Sequence, residues 1–314
     1  MQSLEGRVAV ITGAGRGLGR AHALLFSELG AKVVVNDLGG SSDGQGSDGS
    51  VAQQVADEIT ALGGEAVAST DSVTSWDGAQ ALVQTAVDAF GRLDVLVNNA
   101  GILRDKMLVN MTEEDFSSVI DVHVKGTFNV TRHAAGHWRD RSKAGEAVDA
   151  AVINTSSGAG LFNTIGQTNY GAAKAAIATF SQIAAKELGR YGVRVNTIAP
   201  IARTRLTEQT PGFDLAAGEG FDLWDPANVS TFVAYLATAE CPFTGGVFHV
   251  AGNRIDLVEG WDAVASITGD AQWSVEEIAA EAKQLLAHKP DAAGKMLSEP
   301  MDVAALMGRL FSGS

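Results

Sequence analysis

Residues 7–19 read R-V-A-V-I-T-G-A-G-R-G-L-G. The apolar, β-branched run Arg7–Thr12 predicts a strand that is buried on both faces. Glycines follow at Gly13, Gly17 and Gly19, and a helical apolar pattern comes after them. A strand, a glycine turn and a helix in this order let backbone amides approach a pyrophosphate at the helix N-terminus. The stretch therefore predicts the first unit of a dinucleotide-binding α/β domain, with a ligand-free glycine turn as the alternative.

The second predicted strand, Lys32–Asn36, ends at an acidic residue, Asp37. An acidic side chain at this place holds the ribose 2′-hydroxyl of a dinucleotide. A carboxylate accepts hydrogen bonds from hydroxyls and repels a 2′-phosphate, so Asp37 favours NAD over NADP. The alternative is a loop aspartate that caps a helix. The segment Gly39–Ser50 that follows is rich in glycine and serine, and its composition predicts a flexible surface insertion.

Strands and helices alternate through about residue 250, which predicts an α/β fold with a single doubly wound, Rossmann-like parallel sheet. We expect this domain to span residues 1–252. Residues 253–314 are expected to form a helical C-terminal extension that packs on the same or a neighbouring subunit, with helices at 275–287 and 303–311. An irregular stretch at 201–225 is typical of a substrate lid. Further strands are expected at 66–70, 93–97, 150–154, 193–198 and 246–250, and a long helix at 113–139 is expected to break near Gly126.

A second stretch, residues 155–174, contains candidate catalytic residues and reads T-S-S-G-A-G-L-F-N-T-I-G-Q-T-N-Y-G-A-A-K. Tyr170 and Lys174 stand four residues apart on a predicted helix, so both side chains project from one face. A lysine charge beside a phenol favours the phenolate, and we expect a lowered pKa that suits acid–base catalysis. Ser157 is expected to hydrogen-bond the same substrate oxygen. A Y-x-x-x-K pair alone also arises by chance on ordinary helix surfaces.

Composition and charge exclude several classes of function. The net charge is −14, and no basic patch or tail suited to nucleic-acid phosphates is present. The single cysteine, Cys241, excludes a disulfide framework and a cysteine-rich metal site. No run of 18 apolar residues predicts a membrane span. Neither a secretory signal nor a peroxisomal C-terminal address is seen, so the expected compartment is the cytoplasm.

Four motifs in this order resemble those of the short-chain dehydrogenase/reductase family: the Thr12–Gly19 turn, N-N-A-G at Asn98–Gly101, Ser157, and Tyr170 with Lys174. The resemblance covers residues 7–252. It implies that Tyr170 is the acid/base, that Ser157 orients the substrate oxygen, and that Lys174 binds the nicotinamide ribose and lowers the tyrosine pKa. The dinucleotide contacts expected are Gly13, Arg16, Gly17, Leu18, Gly19, Asp37, Asp71, Ser72, Asn98, Ala100, Gly101, Tyr170, Lys174 and Pro200, with no metal.

Five further motifs are N-D-L-G-G (from Asn36), N-N-A-G-I-L-R-D (from Asn98), V-H-V-K-G-T-F (from Val122), G-Q-T-N-Y (from Gly166) and N-T-I-A-P (from Asn196). With these motifs the chain more narrowly resembles the (3R)-hydroxyacyl-CoA dehydrogenase domains of type 2 peroxisomal multifunctional enzymes and their stand-alone bacterial relatives. It implies NAD-dependent oxidation of a (3R)-3-hydroxyacyl-CoA in fatty-acid or sterol side-chain β-oxidation, by a homodimer or homotetramer built on the helices bearing His123 and Tyr170. His123 replaces the asparagine that completes a proton relay in most of the family, and relay and structural roles both stay open.

Three other functions are considered. Reduction of a 3-oxoacyl group for synthesis uses the same residues, but Asp37 disfavours NADPH. A 17β-hydroxysteroid dehydrogenase, acting on a steroid ring hydroxyl, is also compatible with the narrower resemblance. A protein of another class would bind the dinucleotide only as a signal. Because Ser157, Tyr170 and Lys174 are all present, the sequence favours an enzyme over a protein that only binds the dinucleotide.

Overall fold

The computed structural model describes residues 4–204, 221–260, 263 and 265–286. Eight strands in this part of the chain form one sheet, in the order β3-β2-β1-β4-β5-β6-β7-β8. All neighbours pair in parallel except β7 and β8, which are antiparallel. The predicted doubly wound sheet is therefore confirmed. The strands are β1 (Val8–Thr12), β2 (Lys32–Asn36), β3 (Ala66–Ser69), β4 (Val95–Asn98), β5 (Ala150–Thr155), β6 (Val193–Ile201), β7 (Val247–Ala251) and β8 (Arg254–Leu257).

Helices cover both faces of the sheet, and two hydrophobic clusters lie between the layers. One cluster joins the sheet to α1, α2 and α8, and the other joins it to α3, α5 and α7. Central strands such as β1 and β4 are buried along their whole length, which explains their unbroken apolar sequence. The helices are α1 (Gly17–Glu28), α2 (Ser50–Ala61), α3 (Trp76–Phe90), α4 (Glu113–Ile120), α5 (Gly126–Lys143), α6 (Gly158–Phe162), α7 (Thr168–Leu188), α8 (Pro226–Ala237), α9 (Val275–Glu281) and α10 (Lys283–Leu286).

The strand order reverses between β1 and β4, because the chain builds β1, β2 and β3 in one direction and then returns to the other side of β1. In an open parallel sheet this switch point leaves a crevice outside the carboxyl ends of the strands, where ligands bind. The turn after β1, the end of β2 at Asp37 and the loop after β4 all lie at this edge. The fold thus gathers the predicted site residues from distant parts of the sequence.

The predicted long helix is interrupted by a π-helical turn, Asp121–Lys125, between α4 and α5. Thr112 and Asp115 form a reciprocal capping box at the start of α4. The π-helical turn has an extra residue per turn, and such turns often occur at functional sites. It carries His123, whose side chain is buried.

Near residue 252 the structure shows more detail than the sequence predicts. The strand β8 was missed, and the predicted boundary after residue 252 falls inside the β7–β8 hairpin, where Gly252 has a φ of +56°. The compact unit that holds the sheet runs to Val258. A sequence such as R-I-D-L is short and half exposed, so it lacks the long apolar run that marked the other strands.

The segment Gly39–Ser50 was predicted to be a flexible insertion, but it forms a closed loop with internal hydrogen bonds. The Asp48 amide donates to the Leu38 carbonyl at 2.9 Å, which brings the two ends of the loop together. The Ser41 amide donates to the Gln45 carbonyl, also at 2.9 Å. Composition alone cannot show such contacts, because glycine and serine occur both in closed turns and in flexible linkers.

The second compact unit comprises residues 259–314. Within its described part, Ser274 and Glu277 form a capping box at the start of α9. The predicted helix at 303–311, and residues 205–220 of the predicted lid, lie outside the described residues. No described helix has the length and apolar character needed to cross a membrane.

Candidate active site

A cavity of about 280 Å³ opens at the carboxyl edge of the sheet, at the switch point between β1 and β4. The turn after β1, the end of β2, the loop after β4 and the start of α7 all contribute to it. Most of the predicted site residues line this cavity: Gly13, Arg16, Gly17, Leu18, Asp37, Asp71, Ala100, Gly101, His123, Ser157, Tyr170, Lys174 and Pro200.

The glycine turn fits a pyrophosphate. Gly13 and Gly17 have φ angles of +63° and +53°, which favour glycine. A Cβ atom at Gly13 would lie 2.8 Å from the Cα of Ala100, so a larger residue would push the turn away from β4. No side chain caps the N-terminus of α1, whose N-cap is Arg16. The first amides of this helix are therefore available to an anion, as a dinucleotide phosphate requires.

Asp37 sits at the end of β2 with both carboxylate oxygens directed by the backbone. Oδ2 accepts a hydrogen bond from the Gly15 amide at 2.9 Å, and Oδ1 accepts one from the Gly39 amide at 2.6 Å. These bonds fix the carboxylate at the rim of the glycine turn, and each oxygen keeps a further lone pair for a hydroxyl donor. The side chain thus has the position and charge expected of a ribose-binding carboxylate.

The turn after β1 and the loop after β4 are tied together by Thr12 and Asn99. The Thr12 hydroxyl accepts hydrogen bonds from the amides of Asn99 and Ala100, each at 3.0 Å. The Asn99 side-chain amide donates to the carbonyls of Thr12 and Gly13 at 3.0 and 3.1 Å. These reciprocal bonds hold the glycine turn against the N-N-A-G loop and shape the floor of the cavity.

Tyr170 and Lys174 lie in the first turns of α7, and Ser157 is the N-cap residue of α6. The Lys174 Nζ atom lies 5.4 Å from the centroid of the Tyr170 ring and donates to the Thr155 carbonyl at 2.6 Å. Ser157 lies near the Tyr170 side chain, and its hydroxyl acts to lower the pKa of the phenol. A serine hydroxyl, a phenol and an ammonium group thus meet at one end of the cavity.

The predicted lowering of the Tyr170 pKa by Lys174 is wrong for the chain alone. Burial raises the pKa of Tyr170 to about 12, and the hydrogen bond from Ser157 opposes this rise only in part. Burial also lowers the pKa of Lys174 to about 7. Taking either group out of water disfavours its charged form, and this effect outweighs the attraction between the pair.

His123 contacts both Tyr170 and the backbone of the loop after β4. Its ring lies edge-on to the Tyr170 ring, with centroids 5.2 Å apart. Its Nε2 atom is 2.8 Å from the Ile102 carbonyl oxygen and 3.1 Å from the Ile102 nitrogen, while Nδ1 has no hydrogen-bond partner among the described residues. Burial and the nearby Lys174 charge hold the His123 pKa well below its usual range, so the imidazole is neutral.

Three residues predicted to contact the dinucleotide do not line the cavity. Gly19 packs beneath the turn, where a Cβ atom would lie 2.1 Å from the Gly13 carbonyl oxygen. Ser72 hydrogen-bonds the Thr74 hydroxyl at 2.9 Å. Asn98 is buried and donates to Thr131 and Asn154, at 2.9 and 2.8 Å. Each of these three residues therefore contacts other residues of the protein rather than the cavity.

Sequence reasoning missed several residues that line the cavity. Asn99 was quoted within N-N-A-G but not selected, although two adjacent asparagines cannot both face the same way at the end of a strand. The alternation of side chains along β4 would have distinguished Asn99 from Asn98. The other lining residues carry no signal of their own in sequence: Asn36, Leu38, Gly40, Ser41, Gly44, Gly46, Val73, Thr74, Ile102, Val122, Thr155, Ser156, Ala202 and Thr204.

Known proteins share both the sequence pattern and the fold. A family model described as short chain dehydrogenase matches residues 7–211. Hydroxyacyl-CoA dehydrogenase ChsB1 of Mycobacterium tuberculosis is 42% identical over 294 residues, which cover 90% of each protein. Peroxisomal multifunctional enzyme A of Dictyostelium discoideum is 43% identical over 256 residues, which cover 82% of this chain and 55% of that protein.

The same similarity holds in three dimensions. The crystal structure of a short chain dehydrogenase from Mycobacterium avium matches with a TM-score of 0.82 and 52% sequence identity, covering 91% of this chain and 96% of that chain. The family match includes the glycine turn, Ser157, Tyr170 and Lys174. This chain belongs to the short-chain dehydrogenase family and is an oxidoreductase that acts on CH–OH groups with a nicotinamide dinucleotide.

Proposed function

We propose that the protein oxidises a (3R)-3-hydroxyacyl-CoA to the 3-oxoacyl-CoA, with NAD as the hydride acceptor, in fatty-acid or sterol side-chain β-oxidation. The proposal rests on one observation: Ser157, Tyr170 and Lys174 line the same cavity as the glycine turn. The substrate class is supported by relatives named hydroxyacyl-CoA dehydrogenase and peroxisomal multifunctional enzyme, at 42% and 43% identity.

The residues at the end of the cavity can bind and deprotonate a secondary alcohol. The Ser157 hydroxyl donates a hydrogen bond to the alcohol oxygen and fixes its position beside the Tyr170 oxygen. Tyr170, in its phenolate form, accepts the hydroxyl proton as the C–H bond breaks. A dinucleotide bound at the glycine turn supplies the acceptor for the hydride. The products are a ketone, the reduced dinucleotide and a proton on Tyr170.

Lys174 links the cofactor site to the acid–base group. Its ammonium lies between the Tyr170 ring and the Thr155 carbonyl, and its pKa of about 7 lets it exchange a proton near neutral pH. We propose that it binds the nicotinamide ribose. His123 packs against Tyr170 and Ile102 and holds the phenol ring from the side. A relay role for His123 stays a prediction.

The choice of NAD rests on Asp37. Its carboxylate is fixed by two backbone amides, so it cannot turn away from a 2′-phosphate without losing both hydrogen bonds. Two negative charges about 4 Å apart repel by roughly 4 kcal/mol near a protein surface. NAD, which has a 2′-hydroxyl at this place, instead donates a hydrogen bond to the carboxylate.

We also propose that the protein is a homodimer or homotetramer formed through α5 and α7. Phe128 on α5 and Ile183 on α7 are 44% and 52% exposed in the single chain. Such apolar side chains on neighbouring helices favour contact with a second copy. The molar mass measured by light scattering tests this assembly, and a monomer at micromolar concentration contradicts it.

The function is tested with a panel of substrates followed by NADH absorbance. The panel contains (3R)- and (3S)-3-hydroxyacyl-CoA esters of short, long and steroid-bearing chains, together with a free 17β-hydroxysteroid, each with NAD and with NADP. We expect the highest kcat/KM for a (3R)-ester with NAD. Preference for the (3S)-esters or for the free steroid would contradict the proposed substrate, and preference for NADP would contradict the proposed cofactor.

A further inference from the structure

Two segments with no catalytic residue of their own meet beside the cavity. These are the loop Gly39–Ser50 and the segment Ile102–Lys106, which follows the N-N-A-G motif. The Leu103 amide donates to the Ser42 carbonyl at 2.9 Å, and the Arg104 Nε donates to the Asp43 carbonyl at 3.0 Å. The loop is therefore docked on the segment that leads from β4 to α4.

The loop forms one wall of the dinucleotide cavity. Gly40, Ser41, Gly44 and Gly46 all line it, next to Asp37. The Asp37 carboxylate accepts a hydrogen bond from the Gly39 amide, at the point where the loop begins. A ligand held by Asp37 and the glycine turn would therefore lie beside the loop.

Arg104 joins this loop to the catalytic helix. Its side chain is only 15% exposed, and its Nη1 atom pairs with Glu114 at 3.0 Å. Its carbonyl oxygen accepts a hydrogen bond from the Asn169 side chain at 3.0 Å, and Asn169 directly precedes Tyr170. The Arg104 backbone is thereby fixed to α7, while its guanidinium extends to the loop.

We propose that Arg104 is a positioning residue for the dinucleotide: its guanidinium keeps the loop Gly39–Ser50 docked over the cavity and slows release of the bound cofactor. The proposal rests on the dinucleotide site of the proposed function. A hydrogen bond from a charged donor to a carbonyl in a partly buried place is stronger than a neutral one, because little water competes for it. Its loss is expected to speed release about tenfold.

The test measures NADH dissociation by stopped-flow fluorescence, with excess NAD as the trap. Arg104→Ala should raise the dissociation rate about tenfold, and Arg104→Lys, which keeps a charged donor, should restore part of the difference. Glu114→Gln is the matched control: the Glu114 side chain is 80% exposed, and its described ion pair is with the same guanidinium rather than with the loop. Its rate should equal that of the wild type.

A second variant displaces the loop without changing Arg104. Gly44 has a φ of +84°, and a Cβ atom there would lie 3.1 Å from the Ile102 Cγ2 atom. Gly44→Ala should therefore also speed NADH release. A melting temperature measured for each variant separates a local effect from general destabilisation, since a purely structural role lowers Tm without selective loss of the ligand.

Three outcomes would overturn the proposal. Wild-type dissociation rates in both Arg104→Ala and Gly44→Ala would show that the loop does not retain the ligand. An equal acceleration in Glu114→Gln would assign the effect to the surface ion pair. A wild-type protein that binds no NADH at all would overturn the proposed function and this inference together, whereas the first two outcomes leave the proposed function intact.

Discussion

At the scale of single residues, burial controls the ionisation of the catalytic pair. Tyr170 and Lys174 stand at the spacing that favours an ion pair, but Lys174 is buried and Tyr170 is partly buried, and desolvation favours the neutral form of each. The Lys174 ammonium is directed at the Thr155 carbonyl rather than at the phenol oxygen. Opposite charge alone therefore does not activate Tyr170, and the Ser157 hydroxyl is the group of this chain that favours its phenolate.

Removal of the Tyr170 hydroxyl should abolish most of the activity. Tyr170→Phe leaves the aromatic packing against His123 in place but removes the only phenol that lines the cavity among the described residues. Loss of a general base costs about 10² to 10⁴ in rate, so we expect kcat to fall at least about 10²-fold while NAD binding is retained. Steady-state kinetics and a fluorescence titration with NADH measure the two effects.

The matched control for this experiment is Tyr235→Phe, because Tyr235 lies on α8 and packs against Phe232 and Phe243, away from the cavity lining. Its kcat should equal that of the wild type. Unchanged turnover in Tyr170→Phe would contradict the assignment of the acid–base group.

The charge of Asp37 should determine the choice between NAD and NADP. Asp37→Asn keeps an oxygen that can accept a hydrogen bond from a neighbouring backbone amide and removes the negative charge. We expect the ratio of kcat/KM for NAD over NADP to fall at least about tenfold, a change of 1.4 kcal/mol, since repulsion of the 2′-phosphate is lost.

Asp57→Asn on α2 makes the same change of net charge at an exposed position, where the carboxylate only pairs with Gln53. The cofactor ratio should be unchanged in this control. A wild-type protein that already prefers NADP would refute the role given to Asp37.

At the scale of secondary-structure elements, α1 and α8 are joined by a buried polar contact. His22 Nδ1 lies 2.7 Å from the Ser230 hydroxyl oxygen, and the imidazole is fully buried. Burial lowers the pKa of His22 to about 3, so the ring is neutral in the folded protein. His22 and Ser230 are 208 residues apart in the sequence, and only the packing of α1 against α8 brings them together.

This contact should make folding stability depend on pH. The folded pKa of about 3 is below the unfolded value of 6.5, so the unfolded state takes up a proton first as the pH falls. The contribution of neutral His22 to the free energy of unfolding is therefore fully present above about pH 6.5. As the pH falls below that value, the free energy of unfolding decreases by up to about 1.4 kcal/mol per pH unit. Between about pH 7.5 and 5.5 the wild type should lose about 1.4 kcal/mol more than His22→Asn.

Urea unfolding at both pH values measures this difference. Ser230→Ala serves as the control, because it removes the hydrogen bond but keeps the titrating ring, so the extra loss at low pH should persist. Equal pH dependence in the wild type and in His22→Asn would show that His22 does not contribute.

At the scale of the whole molecule, the unit that ends at Val258 contains the sheet, both hydrophobic clusters and the described lining of the cavity. A chain truncated after Val258 should therefore unfold cooperatively and bind NAD with the affinity of the full chain. Calorimetry and an NADH titration test both expectations. Aggregation, or loss of dinucleotide binding, would show that residues 259–314 are needed for the fold.

The truncated chain also tests the prediction that the C-terminal extension packs on its own or a neighbouring subunit. We expect a changed KM for long acyl substrates or a changed oligomeric state. If both are identical to those of the full chain, the extension has no part in either property. Short acyl substrates are the internal control, because they reach the residues around Tyr170 without extending far beyond them.

The amino-acid sequence by itself determined the order of the strands from β1 to β7, the glycine turn, and the positions of Ser157, Tyr170, Lys174 and Asp37 in the chain. These features are local, since an apolar run, a glycine spacing or an i,i+4 pair is complete within a few residues. The sequence therefore predicted the doubly wound sheet.

Only the tertiary structure decided the properties that depend on contacts between distant segments. Burial raised the Tyr170 pKa, the loop Gly39–Ser50 docked on Arg104, and Asn98 turned into the core while Asn99 turned towards the glycine turn. The physical reason is the same in each case: desolvation and hydrogen bonding depend on which atoms lie within a few ångströms, and spacing along the chain does not specify them.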